Sequence, residues 1–201
     1  MMRYIVLATK NKGKIKEIYE ILKEYKDYLK TLDEFIEISL PEEIGKTYEE
    51  NAFLKAKFIS EKLNLPAIGE DSGLEINMLK GILGVYSSRF EEDLSYKERM
   101  NIILEKLRDV PWEKRTARFI CKVVYYDHKN DIKIVTGGVV EGYIAFEIRG
   151  DSGFGYDPIF YYPPLGKTFG ELKEQEKNEI SHRTIAFKKL KEFFPILIKG
   201  G

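Results

Sequence analysis

Two adjacent acids, Glu70 and Asp71, stand before Ser72 and Gly73 in the run GEDSGL at 69–74. Hard carboxylate oxygens of this kind suit Mg2+, which keeps several waters and takes one or two protein carboxylates beside substrate phosphates. Asp71 is the expected ligand, and Glu42, directly after Pro41, is the second acid available at the same sheet edge. On spacing alone, both also read as surface acids. The hexapeptide TKNKGK (Thr9, Lys10, Asn11, Lys12, Gly13 and Lys14) gathers three lysines, a hydroxyl and an amide. It is not a Walker motif. Taken alone it reads equally as a solvated helix start; placed after a buried strand it reads as a phosphate site, because free N–H groups and the helix dipole favour an anion there.

A third run, GFGYDPIF, packs Phe154, Gly155, Tyr156 and Asp157 into one short turn. Glycine lets backbone approach a ligand, an aromatic offers a stacking face, and a carboxylate before proline is held on a rigid bend. That combination reads as a purine pocket. KNEISHR adds Lys177, His182 and Arg183. Alone, the His-Arg pair reads as structural, and a cation at a helix start gains nothing from the dipole. Lys55, in a helix with Glu50 and Asn51, reads by itself as part of a solvated face, and His128 lies in a polar turn outside the chemistry. Together the clusters describe a nucleoside triphosphate site.

The elements that must position them alternate. Residues 3–8 form an apolar run that predicts a buried strand, and Ile15, Ile18, Leu22 and Tyr25 share a helical face. Residues 35–39 alternate as a strand, 48–63 carry helical spacing, and 66–69 return to extended chain, with Glu70 and Asp71 where that short strand ends. The order β-α-β-α-β implies a sheet with helices on its faces and ligands beyond the carboxyl ends of strands. Residues 74–79 predict another strand, 95–107 a helix with Met100, Ile103, Leu104 and Leu107 inward, and 116–126 with 132–140 a hairpin through DHKND. Residues 179–194 predict a closing helix with His182 and Arg183 near its start.

Composition narrows the function classes. The 201 residues, 43% hydrophobic, are enough for a continuous core in one compact domain or two small lobes. Lys+Arg and Asp+Glu both total 33, so no overall field draws in nucleic acid. Cys121 is the single cysteine, which excludes an internal disulfide and a thiolate zinc site and fits a reducing cytosol. The N-terminal apolar run is too short to span a bilayer or act as a signal, so the chain is expected to be soluble, cytoplasmic and away from membranes. The 25 lysines and 24 glutamates against one glutamine form a heat-adapted profile; an AT-rich genome produces much of the same lysine bias.

Taken in order, LATKNKGKIKEI, ENAFLKA, GEDSGLEI, GVYSSRF, GFGYDPIF, KTFGE and EKNEISHR strongly resemble the inosine/xanthosine triphosphate pyrophosphatase family over nearly the whole chain. The resemblance implies a single 1–201 domain of α/β class, with an elongated central mixed sheet flanked by helices, two lobes with the active site in the cleft between them, and a homodimer. It implies Mg2+-dependent attack of water on the α-phosphorus, releasing a monophosphate and pyrophosphate from ITP, dITP or XTP. It puts the triphosphate on residues 9–14, chiefly Asn11 and Lys14, with Lys55 in support. Asp71 becomes metal ligand and catalytic base, with an ordinary carboxylate pKa sufficient, and Glu42 the second metal acid.

By the same resemblance Glu70 helps hold a metal-bound water, Ser72 contacts substrate, and Phe154 stacks on the purine. Asp157 and Lys177 hold base and sugar, and His182 with Arg183 reads the base edge. Donors aimed at a 6-oxo group reject the 6-amino group of ATP. Lys10 departs from the small residue usual in the first loop, so that turn cannot use glycine's positive φ, a strain Asn11 tolerates. Two rivals remain, a septum-inhibitor-type pyrophosphatase of the same fold acting on methylated or pyrimidine nucleotides and a non-catalytic nucleotide sensor. The SHR and FGYD runs argue against the first, and Glu42, Asp71 and Lys14 against the second.

Overall fold

The computed structural model describes residues 3–36 and 38–199. Its elements follow one another as β1 (Ile5–Leu7), α1 (Lys12–Ile21), β2 (Leu29–Thr31), α2 (Tyr48–Leu63), β3 (Ala67–Ile76), α3 (Tyr96–Lys106), β4 (Thr116–Asp127), β5 (Ile132–Ile144), β6 (Phe160–Tyr162), β7 (Lys167–Thr168), α4 (Glu174–Ile180), α5 (His182–Lys191) and α6 (Phe194–Leu197). The strands form one seven-stranded sheet in the order β2-β1-β3-β4-β5-β6-β7. β1 is parallel to β2 and β3 while β6 is antiparallel to β5 and β7, so the sheet is mixed and the class is α/β as expected.

Packing divides the chain into two compact units, one from the described residues of Met1–Ser72, Cys121–Gly138 and His182–Gly201, the other from Gly73–Ile120 and Val139–Ser181. In the first unit the two-residue period of a strand decides the layering. Ile5 and Leu7 of β1, Ile68 of β3, and Cys121, Val123 and Tyr125 of β4 are buried together with Ile18 of α1 and Phe187 and Leu190 of α5. Val6 and Ala8 turn the other way, toward Ala67 and Ile59 of α2. A short parallel strand covered on both faces has to be apolar at every position, and β1 is.

The buried residues of α2 recur at helical spacing, Asn51, Ala52, Lys55, Ala56, Ile59 and Ser60. Ala52 and Ala56 keep that face thin, and Gly69 of β3 completes the fit: a Cβ there would stand 1.9 Å from the Ala52 carbonyl oxygen. Helix and strand therefore approach closely enough for polar side chains of α2 to reach β3. In the second unit Phe160 packs on Phe119 and Phe169, with ring centroids 4.5 and 5.0 Å apart.

Several elements differ from expectation. Of the residues 35–39, the described ones do not pair as a strand; β2 lies earlier, with Leu29 opposite Ile5. Phe35 and Ile38 still bury against the α2 layer, so their apolar character serves packing from a loop, and Glu37 lies outside the described residues. β3 runs unbroken from Ala67 to Ile76, and residues 77–79, expected as strand, make a 3-10 turn. Ser72 and Gly73 read as punctuation, but membership of the sheet between β1 and β4 overrides local preference, although β1 reaches only Ala67 and Ile68 of this strand. The closing helix is divided at Ser181, whose extended backbone (ψ 155°) ends α4 before α5 begins at His182. Helix α2 has the expected bounds, and the strands expected over 116–126 and 132–140 are present as β4 and a longer β5.

Candidate active site

As neighbours on β3, Glu70 and Asp71 leave opposite faces of the sheet. Glu70, in step with Ile68, enters the layer of α1 and α5. Arg183 donates from Nη2 to Glu70 Oε1 at 3.0 Å and to Ser72 Oγ at 3.0 Å, and from Nη1 to Glu17 of α1. Lys14 Nζ lies 2.8 Å from Glu70 Oε2, and the Cys121 thiol donates to Oε1 at 3.4 Å. Burial opposes ionisation of Glu70, yet Arg183 and then Lys14 outweigh it and hold the carboxyl well below its usual range. Burial likewise opposes the charges on Lys14 and Arg183, and Glu70 reverses it, raising both. The Cys121 thiol is pushed well up by burial, with Glu70 adding to it, and stays neutral.

Asp71, in step with Ala67 and Gly69, faces α2. Asn51 Nδ2 donates to its Oδ2 at 3.0 Å, and the Ser72 N–H donates to Oδ1 at 3.0 Å. Lys55 is buried, not on a solvated face; its Nζ is 4.0 Å from Asp71 Oδ1 and pairs with Glu43. The Asp71 pKa rises from 3.8 to about 6, mainly through burial, which outweighs the pull of Lys55, with Glu43 pushing further up. The ordinary value expected from sequence is corrected by this burial.

The two acids of the 41–46 loop part company. Glu42 is exposed, its carbonyl accepting from the Ile44 N–H, whereas Glu43 is the acid drawn to Lys55 and felt by Asp71. Among the described residues no group of three or more His, Cys, Asp or Glu side chains is gathered as a ready metal cage. Mg2+ needs only one or two carboxylates, completing its shell with water and phosphate, so the hard oxygens of Asp71 with this acidic loop fit that ion.

In the hexapeptide, Thr9 is buried, and its Oγ1 accepts from the Asn11 N–H at 3.2 Å. Asn11 is the N-cap of α1, its Oδ1 accepting from the Lys14 N–H at 3.0 Å. The Asn11 φ is −73°, so the turn carries no left-handed residue and the strain anticipated there is absent. Lys10, Asn11 and Lys12 are exposed around the helix start, and Gly13 is half-buried.

The second unit brings together Phe154, Asp157 and Lys177. Asp157, buried, accepts from the Phe154 N–H at 2.8 Å and from Lys177 Nζ at 2.5 Å, and that ammonium stands 4.7 Å from the Phe154 ring centroid. Gly153 has φ +75°, and a Cβ on it would fall 2.1 Å from Asp157 Oδ2; Gly155 has φ +66°. Phe154 is half-buried, whereas Tyr156 is core, its hydroxyl donating to the Ser87 carbonyl at 2.8 Å. In the first unit His182 is buried at the start of α5, where Gly138 admits the close approach of its carbonyl.

Sequence reasoning missed Glu17, Glu43, Asn51 and Cys121. Asn51 left a signal: an asparagine inside a helix four residues before a lysine shares its face, and competes with the backbone unless engaged elsewhere.

Comparisons with known proteins agree on one family. The sequence profile of the Ham1 family matches residues 5–193. A dITP/XTP pyrophosphatase of Dictyoglomus thermophilum is 61% identical over 99% of this chain and 98% of its own, and one of Bacillus cereus is 42% identical over 96% of each. Among solved structures, a HAM1 protein from Coxiella burnetii superposes with TM-score 0.86 at 40% identity, over 97% of this chain and all of its own. The Staphylococcus aureus Ham1 protein gives 0.85 at 37% identity, over 96% and 98%. With the fold, the seven ordered runs and these relatives in agreement, the chain belongs to the Ham1 family.

Proposed function

We propose that this protein hydrolyses deaminated purine nucleoside triphosphates (ITP, dITP and XTP) to the monophosphate and pyrophosphate, with Mg2+ as cofactor, and so clears them from the nucleotide pool. The observation that carries the reading is the division of labour between neighbouring acids. Glu70 is held as an anion among Arg183 and Lys14, while Asp71, on the opposite face, takes up a proton at about 6 in the metal-free protein. Two carboxylates with environments that push their pKa values apart are the usual mark of separate acid-base roles.

The triphosphate falls to the N–H groups at the start of α1 and to Lys10, Lys12 and Lys14, with Lys55 beside the acids. Lys14 is held by Glu70 until phosphate competes for it. Asp71 accepts the proton of the attacking water, and Asn51 and the Ser72 N–H fix the carboxylate while it does so. Asp71 and the acidic loop (Glu42 and Glu43) would hold Mg2+, which would neutralise phosphate charge and acidify water. The half-buried Phe154 supplies the stacking face, and Asp157 and Lys177 hold base and sugar. His182 and Arg183 read the 6-oxo edge, Arg183 exchanging part of its bonding to Glu17, Glu70 and Ser72 to do so.

A homodimer in the cytoplasm belongs to the same proposal. Incubation with Mg2+ and, separately, ITP, XTP, GTP and ATP tests the reaction. Pyrophosphate from ITP and XTP with little from ATP supports it, and orthophosphate as the sole phosphate product contradicts it.

A further inference from the structure

Asn51 is fully buried, and its amide is bonded at one end to the loop six residues before it and at the other to a strand 20 residues on. Nδ2 donates to Asp71 Oδ2 at 3.0 Å, and Oδ1 accepts from the Gly45 N–H at 2.8 Å. The partners settle the amide's orientation, since a carboxylate accepts and an N–H donates. Gly45 is shaped to this contact, because a Cβ there would stand 2.5 Å from Asn51 Oδ1. The loop is pinned just beyond, where the Lys46 and Thr47 N–H groups donate to Glu50 Oε2 at 2.6 and 3.1 Å. One helical turn after Asn51, Lys55 pairs with Glu43 of the same loop.

We propose that Asn51 is a positioning residue that ties the acidic loop at 41–46 to the Asp71 carboxylate, so that the two acid-bearing segments meet a divalent cation as one preset group. This rests on the reading of Asp71 as a metal-holding acid. The nearest substitutes do not do both jobs in this geometry. Aspartate would set carboxylate against carboxylate, glutamine is a methylene too long, and alanine leaves the Gly45 N–H and Asp71 Oδ2 without their bonds.

The test is isothermal titration of Mg2+ into the purified, nucleotide-free full chain, for the wild type, Asn51→Ala and Gly45→Ala, with the metal-free melt of each measured alongside. Gly45→Ala acts on the tie from the loop side, its Cβ pressing on Asn51 Oδ1 and also on Glu50 Cβ at 2.8 Å and the Asn51 N at 3.0 Å, and serves if Asn51→Ala does not fold. The expected result is Mg2+ affinity at least tenfold weaker in Asn51→Ala and several-fold weaker in Gly45→Ala. In turnover assays the apparent KM for Mg2+ is expected to rise while kcat at saturating metal falls far less. Wild-type affinity in a folded variant overturns the role of Asn51 and leaves the metal reading standing. Failure of the wild-type protein to bind millimolar Mg2+ overturns both.

Discussion

Arg183 Nη2 and Glu70 Oε1 meet at 3.0 Å with both side chains almost wholly out of solvent, and Glu17 closes on the same guanidinium. Breaking such a buried pair from one side costs about 3–5 kcal/mol, because the remaining carboxylates lose their compensation. Arg183→Met is therefore expected to lower the melting temperature by roughly 10 °C in a chain of this size; a shift within two degrees would show that the guanidinium does not hold these acids.

Glu70 also sets an acid limit. Its folded pKa is depressed below 4.5, so its contribution to stability is complete above the unfolded value and is lost as pH falls through the folded one. Melts from pH 7 down to 3 should show wild-type stability falling below about 4.5 more steeply than that of Glu70→Gln.

Asp71 has the opposite sign. Its folded pKa is raised from 3.8 to about 6, so the metal-free native state favours the protonated form, and stability is lost as pH rises through that window. The difference amounts to about 3 kcal/mol. Metal-free Asp71→Asn should therefore melt higher than wild type at pH 8 and much closer to it at pH 4, while turnover with Mg2+ falls by about 10²-fold or more. A variant that melts lower at pH 8 would contradict the burial argument, and retained turnover would remove Asp71 from the chemistry.

Gly69 sets the approach of α2 to β3. With a Cβ only 1.9 Å from the Ala52 carbonyl, Gly69→Ala forces helix and strand apart and is expected to cost about 1–3 kcal/mol or more. Because that contact brings Lys55 and Asn51 to Asp71, Mg2+ affinity should fall with the melting temperature. An unchanged melt would mean the layer gives way easily.

Phe154 is expected to act on substrate more than on the fold, being half-buried beside Lys177. Phe154→Ala should raise KM for ITP by about tenfold, the scale of one aromatic stacking contact, with kcat nearly kept. Lys177→Met, by contrast, strands the buried Asp157 and should lower the melting temperature. Equal KM in Phe154→Ala would leave the base without its stacking face.

Much of this arrangement is written locally. β1 is legible because a doubly covered strand must be apolar throughout, and α2 because its buried residues recur at helical spacing. The strand through Ser72 and Gly73 is not, since its continuity comes from its place in the sheet between β1 and β4, which no local residue pattern announces. Glu70 and Asp71 read as two candidate ligands, but their assignment to opposite faces depends on that unbroken strand. The partners Glu17 and Asn51 lie 166 and 20 residues from the groups they hold, distances at which a side-chain bond leaves no spacing signal. Glu43 differs from Glu42 only in which way one loop turns, and residue type does not encode that.

The most direct test of the central claim is hydrolysis of ITP with Mg2+ in H2¹⁸O, followed by mass analysis of both products. Water attacking the α-phosphorus beside Asp71 predicts one ¹⁸O in the monophosphate and none in pyrophosphate. Label in pyrophosphate, or labelled orthophosphate, would place the attack at another phosphorus and contradict the account.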